Sequence, residues 1–301
     1  MSDVSVIGTG VMGSALVEVF ASSGAEVTVW NRTREKAEVL SGPRVHIAES
    51  VADAMRSSPL ILVVVSGGHE QSRTLVKEAG VDLTGKVVAS TSFVTPDQAQ
   101  SYDTVVRAAG GHYLDLSIPS YPSEVRSKAG VFLISGNRDA YEAHRERFER
   151  IGRVTTFVDD SPGAAYISEM AVLLAYLPMA VSLLQGLRIC EHHKISPEWF
   201  KETTLKLYPF HIQSLLERVI GEAGRSVKNV EASINVWGEG LAESADYLRE
   251  LGLDAGMYDA LHRLFAAASE AGHGDADWIN IVEYSATRDT GDDQHGKSGN
   301  R

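Results

Sequence analysis

Over roughly the first 160 residues, short apolar runs alternate with helically spaced segments. The runs VSVIG at 4–8, VTVW at 27–30, LILVVV at 60–65 and KVVAS at 86–90 predict strands. YLDLSI at 113–118, VFLIS at 131–135 and VTTFV at 154–158 extend the series. The early runs are nearly continuous in apolar residues, which suits a parallel sheet covered on both faces. Between them, helical spacing appears around 12–22, 34–40, 70–79 and 97–109. This rhythm predicts a doubly wound α/β domain over residues 1–160.

Beyond residue 160 the strand-like runs largely disappear. Residues 161–192 predict one long helix, with Ser161 as its cap, Pro162 in its first turn and a kink at Pro178. Further helices are expected near 197–206, 209–222, 239–250 and 255–271, making 193–286 a helical unit. The apolar stretch from Met170 to Leu184 is short for a membrane span, holds Pro178 and follows Glu169, so it predicts a buried helix. One small domain offers too little surface to bury it. A homodimer with interlocked helices is the expected solution, with a compact helical cap on a monomer as the alternative. The polar, Gly- and Asp-rich tail 287–301 is expected to be disordered.

Composition narrows the function classes. The net charge of −12 disfavours nucleic-acid binding. The single cysteine, Cys190, forms no intrachain disulfide, and MSDVSVIGTG begins as a strand rather than a signal peptide, so a cytoplasmic protein is expected.

The strongest chemical signal is Gly8-Thr9-Gly10-Val11-Met12-Gly13, directly after a strand and opening a helix. Gly8 permits the tight turn, Gly10 lets backbone approach a pyrophosphate, and Gly13 allows close helix–strand packing. The helix N-terminus favours phosphate charge. After the second run, Asn31 stands where an NAD site usually carries an acid. Arg32 can pair with a 2′-phosphate, Thr33 can hydrogen-bond to it, and Arg34 and Lys36 add positive charge. This points to NADPH. Val65-Ser66 and Ser90-Thr91 lie at carboxyl ends of strands, where ligands bind in this architecture. Both serines serve equally well as turn or cap residues.

With these motifs, the chain resembles the β-hydroxyacid dehydrogenase superfamily, and within it the imine reductases. VIGTGVMGSALVEVFASSGAEVTVWNRTREKA, DLSIPSYPSEV at Asp115–Val125 and AGHGDADWINIVEY carry the resemblance. It implies an N-terminal Rossmann domain joined by a long interdomain helix to an all-helical C-terminal domain. It also implies two subunits that swap their helical domains. The hydroxyacid enzymes carry a lysine acid/base on the long helix, within G-x-G-x-x-x-K. Here the segment from Gly163 ends in Glu169. Many imine reductases have Asp or Tyr at that point, and glutamate keeps the carboxyl while moving it by roughly 1 Å. A carboxylate suits a cationic iminium better than an alcohol that must lose a proton.

A second departure follows the run at 86–90. The family's N-L-T-S-G-T-P becomes Ser90-Thr91-Ser92-Phe93-Val94-Thr95-Pro96, which makes the rim bulkier. Such a rim suits a large aromatic iminium of the kind met in secondary metabolism. Ser92, Phe93, Pro119, Tyr121, Leu173, Leu177 and Trp237 are the expected substrate pocket, with Tyr121 also a candidate acid and Trp237 also a plain core residue. No histidine spacing suggests a metal site. Two rivals remain: a hydroxyacid or short aldehyde dehydrogenase, and a non-catalytic NADP-binding protein.

Overall fold

The computed structural model describes residues 1–286 except 224, 226 and 228, without the side chains of 285 and 286. The tail from 287, expected to be disordered, lies outside the described residues. The chain begins β1 (Val4–Ile7), α1 (Val11–Ser22), β2 (Val27–Trp30), α2 (Arg34–Glu38), β3 (Val45–Ile47) and α3 (Val51–Ser57). It continues with β4 (Leu60–Val63), α4 (Gly68–Ala79), β5 (Val87–Ser90), α5 (Pro96–Ala108), β6 (His112–Ser117) and α6 (Pro122–Arg126). β7 (Val131–Gly136), α7 (Arg138–Glu149) and β8 (Val154–Phe157) complete the sheet-forming part. Helices α8 (Ala164–His192), α9 (Pro197–Glu222), α10 (Ile234–Glu250), α11 (Gly256–Ala268) and α12 (Ile281–Ala286) follow.

All eight strands form one sheet in the order β3-β2-β1-β4-β5-β6-β7-β8. β3 through β6 run parallel, β7 is antiparallel to β6, and β8 is parallel to β7. The order reverses at β1/β4, and ligands bind at the carboxyl ends of strands at such a switch point. Strand periodicity divides the core in two. Val4, Val6, Leu60 and Leu62 face α1 and α7 through Leu16, Phe20, Tyr141 and Phe148. Ile7, Ile61, Val63 and Val88 face α3, α4 and α5 through Met55, Val76, Tyr102 and Val106. Burying each large side chain contributes about 1.5–3 kcal/mol, which fixes the strand ends that carry the site.

Several elements differ from expectation. α8 starts at Ala164, after a turn at Pro162 and Gly163 in which Gly163 has φ +90°. Ser161 contributes its carbonyl, 3.2 Å from the Ala164 N–H, instead of a helical cap. α9 runs unbroken through Pro209, where two helices were expected, whereas α8 is the single long helix expected, with Pro178 inside it. α10 begins at Ile234, so Gly238 and Gly240 lie within it.

The contacts divide the chain into two units, Met1–Pro178 and the part from Met179 onward. The second unit has its own cores, around Ile234, Phe265, Ala268 and Ile281, and around Ala245, Leu248 and Ala255. By length and composition alone α8 is apolar enough to cross a membrane, with a mean hydropathy of 1.8. One such helix is weak evidence, because a core helix of a globular protein passes the same test. Along α8, Val172, Leu174, Leu177 and Leu184 are exposed. So are Leu205, Phe210, Leu216 and Ile220 of α9.

Candidate active site

Two hollows open at the carboxyl ends of the strands. The first, about 170 Å³, is lined by Gly8, Gly10, Trp30, Asn31, Arg32, Thr33, Lys36, Val64, Val65, Ser66, Gln71 and Leu75. It therefore gathers eight residues expected from the sequence. Asn31 binds the two loops together: its Oδ1 accepts the Thr9 N–H at 3.1 Å, and its Nδ2 donates to the Thr33 carbonyl at 2.8 Å. Both its polar groups thus shape the site. Arg34 is committed to Glu38 and Glu49, at 2.8 and 2.6 Å. Among the described residues no ion pair engages Arg32 or Lys36. Gln71, oriented by its neighbours, donates to the Ser66 carbonyl at 2.5 Å and accepts from Arg32 at 3.3 Å.

The glycines test whether this cradle fits a dinucleotide. Gly8 has φ +100°, and a Cβ there would strike the Val64 carbonyl. A Cβ on Gly13 would strike the Gly8 carbonyl. Both are required by the protein itself. Gly10 has φ −68°, and a Cβ there meets nothing within 4 Å. Among the described residues no contact demands a glycine at that position, so the open space is the kind a pyrophosphate would fill. The buried Thr9 hydroxyl beside it has no partner among the described residues. Val11 is exposed at the start of α1, and Met12 reaches the second hollow.

The second hollow, about 190 Å³, is lined by Met12, Thr91, Ser92, Phe93, Asp115, Leu116, Ser117, Ile118, Tyr166 and Glu169. Glu169 is only 8 % exposed, and the Ser117 hydroxyl donates a hydrogen bond to its Oε2. Asp115 is 1 % exposed and its Oδ2 accepts the Tyr166 N–H at 3.2 Å. Burial pushes the Asp115 carboxyl up to about 7; the Tyr166 N–H pulls it down and the nearby Glu169 charge pushes it further up. The Phe93 and Tyr166 rings lie 5.3 Å apart at the rim. The lining holds two carboxylates and no basic side chain.

Other expected residues lie elsewhere. Ser90 is fully buried. Its hydroxyl bonds Ser72 and Ser92, each at 3.1 Å, and Ser72 bonds Tyr102 at 2.9 Å. Ser90 thus acts behind Ser92, which does line the hollow. Pro119 follows the lining segment and is half-buried. Tyr121 is exposed and hydrogen-bonded to Tyr176, which pushes the Tyr176 phenol up. Leu173 is half-buried, whereas Leu177 points largely to solvent. Trp237 belongs to the second unit, half-exposed, with its ring 5.8 Å from Trp278.

Asp115, Ser117, Tyr166 and Tyr176 were not singled out from sequence. Alternation along β6 was the available signal: Leu114 and Leu116 pack in the core, so Asp115 and Ser117 share the other face. Among the described residues no cluster of His, Cys, Asp and Glu is arranged to hold a metal.

A doubly wound domain with this cradle defines a nicotinamide-dinucleotide-binding domain. The chain belongs to the family of the NAD-binding domain of 6-phosphogluconate dehydrogenase, matched over residues 3–159, and its residues 161–287 match the C-terminal domain of NADPH-dependent reductive aminase-like proteins. The structure of an imine reductase from Myxococcus stipitatus in complex with NADP+ superposes with a TM-score of 0.81 at 28% identity, covering 94% of this chain and 99% of that one. An NADPH-dependent reductive aminase of Aspergillus oryzae is 24% identical over 56% of this chain and 57% of its own length. The cytokine-like nuclear factor N-PAC of Drosophila melanogaster is 23% identical over 63% of this chain, which spans about a third (32%) of that protein.

Proposed function

We propose that this chain is an NADPH-dependent imine reductase, which transfers hydride to the carbon of a C=N bond and yields an amine. The observation that carries this reading is Glu169: a buried carboxylate, held by Ser117, at the wall of the strand-end hollow. The resembling hydroxyacid enzymes place a lysine there. NADPH, when bound, supplies the hydride. Thr9, Gly10 and the start of α1 are suited to hold its pyrophosphate, and Arg32, Thr33 and Lys36 its 2′-phosphate. Glu169 stabilises a cationic iminium by charge in a poorly solvated cavity or, when itself protonated, delivers to a neutral imine nitrogen the one proton that the reduction consumes besides the hydride. Ser117 fixes the carboxylate's orientation. Phe93 and Tyr166 offer aromatic surface to a flat cation, and Met12, Thr91 and Ser92 shape the remaining wall. Leu173 and Tyr121 extend the proposed substrate pocket.

The same reading assigns residues 1–160 to cofactor binding, 161–192 to a linking helix and 193–286 to dimerisation and substrate selection. The exposed apolar side chains of α8 and α9 support a homodimer in which a second copy covers them. NADPH oxidation against cyclic imines, preformed aromatic iminium ions and hydroxyacid-type carbonyls tests the function. Turnover of the carbon–nitrogen substrates is expected. Turnover of carbonyl acids alone would assign a hydroxyacid dehydrogenase, and NADPH binding without turnover a cofactor-binding protein.

A further inference from the structure

The amino end of α8 is held by the sheet as well as by its own approach. The Ala164 N–H reaches the Ser161 carbonyl at 3.2 Å, and the Ile167 N–H reaches the Gly163 carbonyl at 3.1 Å. The two N–H groups between them would be buried without partners, which a helix end does not tolerate. Side chains from the strands meet them instead. Ser135 Oγ accepts from Ala165 at 3.0 Å, and Asp115 Oδ2 accepts from Tyr166 at 3.2 Å. Asp115 and Ser135 are paired across the antiparallel β6/β7 ladder, so one cross-strand pair caps two successive helical amides.

Ser117 lies two residues beyond Asp115 on the same face of β6 and donates to Glu169. Tyr166 and Glu169 are three residues apart, about one helical turn. β6 therefore grips α8 at a backbone amide and at the carboxylate one turn later. A neutral cap would serve the amide alone; Asp115 is instead an acid buried beside Glu169, with its carboxyl pushed up to about 7 chiefly by that burial.

We propose that Asp115 is a positioning residue: by accepting the Tyr166 N–H it fixes the first turn of α8, and so holds Glu169 where Ser117 and the substrate meet it. The catalytic part of this statement rests on the imine-reductase reading; the grip on the helix does not.

Amide hydrogen exchange and steady-state kinetics of Asp115→Ala and Asp115→Asn, in the full chain, test it. Asn keeps an acceptor for Tyr166 and removes the acid. In Asp115→Ala the amides of residues 165–169 should exchange roughly 10- to 100-fold faster, the size of leaving a buried amide without its acceptor, with the later turns of α8 unchanged. The kcat for a cyclic imine should fall by a similar factor while the KM for NADPH stays within about twofold. Asp115→Asn should restore the protection and most of the turnover. If Asp115→Ala does not fold, Asp115→Ser, too short to reach Tyr166, replaces it. Unchanged exchange in the Ala or Ser variant would overturn the proposal. So would turnover lost as fully with Asn as with Ala, because the acid itself would then matter rather than the placement. Should the wild type reduce no imine, the functional reading fails, and the exchange arm still decides whether Asp115 holds the helix.

Discussion

The hydroxyl of Ser117 on β6 donates a hydrogen bond to the carboxylate of Glu169 on α8. That bond joins a central strand of the dinucleotide-binding sheet to the helix that leaves it. It places an acid where the start of α1, the segment after β5 and the carboxyl end of β6 converge.

The glycine loop separates structural from ligand-directed glycines. Gly13→Ala forces a methyl into the Gly8 carbonyl and should destabilise the protein by ~1–3 kcal/mol or more. Gly10→Ala meets open space, so thermal unfolding should show a change within about 0.5 kcal/mol. NADPH affinity, followed by nicotinamide fluorescence, should nevertheless fall at least about tenfold, because the methyl occupies the pyrophosphate's room. Equal destabilisation by both substitutions would contradict this division.

Cofactor choice should depend on Arg32 rather than Arg34, which is already engaged by Glu38 and Glu49. Losing a charge-assisted bond to the 2′-phosphate costs ~1.5–3 kcal/mol. Arg32→Ala is therefore expected to raise the KM for NADPH by roughly tenfold or more and leave that for NADH nearly unchanged. A parallel loss with both cofactors would remove Arg32 from the phosphate site.

Two buried groups should tilt the pH dependence of stability in opposite directions. Burial pushes Asp115 up to about 7, so between its ordinary value of 3.8 and 7 the folded state holds a proton that the unfolded chain has released. Its contribution is full at low pH and is lost as pH rises to 7. Burial, aided by Arg147, pushes His144 down to about 4 from 6.5. There the unfolded chain binds the extra proton, so stability is lost as pH falls from 6.5 to 4. In urea unfolding at pH 4.5 and 7, Asp115→Asn should gain stability relative to wild type on moving to pH 7. His144→Gln should gain on moving to pH 4.5. Each relative change is on the order of 2–4 kcal/mol at most. Parallel pH curves for wild type and either variant would show that the group is solvated.

The exposed apolar faces of α8 and α9 lead to a prediction about assembly. Light scattering should give twice the chain mass at micromolar concentration. Leu174→Glu and Leu216→Lys together should yield monomer or aggregate. A wild-type monomer that stays soluble would leave those faces in need of another cover.

Much of this was legible from the chain. Apolar runs marked seven of the eight strands, and the glycine motif marked the cradle. The three-residue β3 went unseen because Val45–Ile47 is too short to show a period. Pro209 suggested a break, but α9 continues through it, as a helix can when its other bonds outweigh one lost amide. Ser90 occupied a position that suggested ligand contact, yet its hydroxyl is used within a buried network with Ser72 and Ser92. Asp115 and Ser117 were hidden because their importance depends on which face of β6 meets α8. The alternation along β6 encodes that the two share a face, and only the tertiary packing shows that this face meets α8.

The central claim is that Glu169 serves carbon–nitrogen reduction as a carboxylate. Its most direct test is the initial rate of NADPH oxidation with a cyclic imine, for wild type and Glu169→Gln. The glutamine keeps the shape and an acceptor for Ser117 but removes the charge. The account predicts a fall of roughly 100-fold or more in turnover, with NADPH binding within about twofold. Undiminished imine turnover in Glu169→Gln would contradict it.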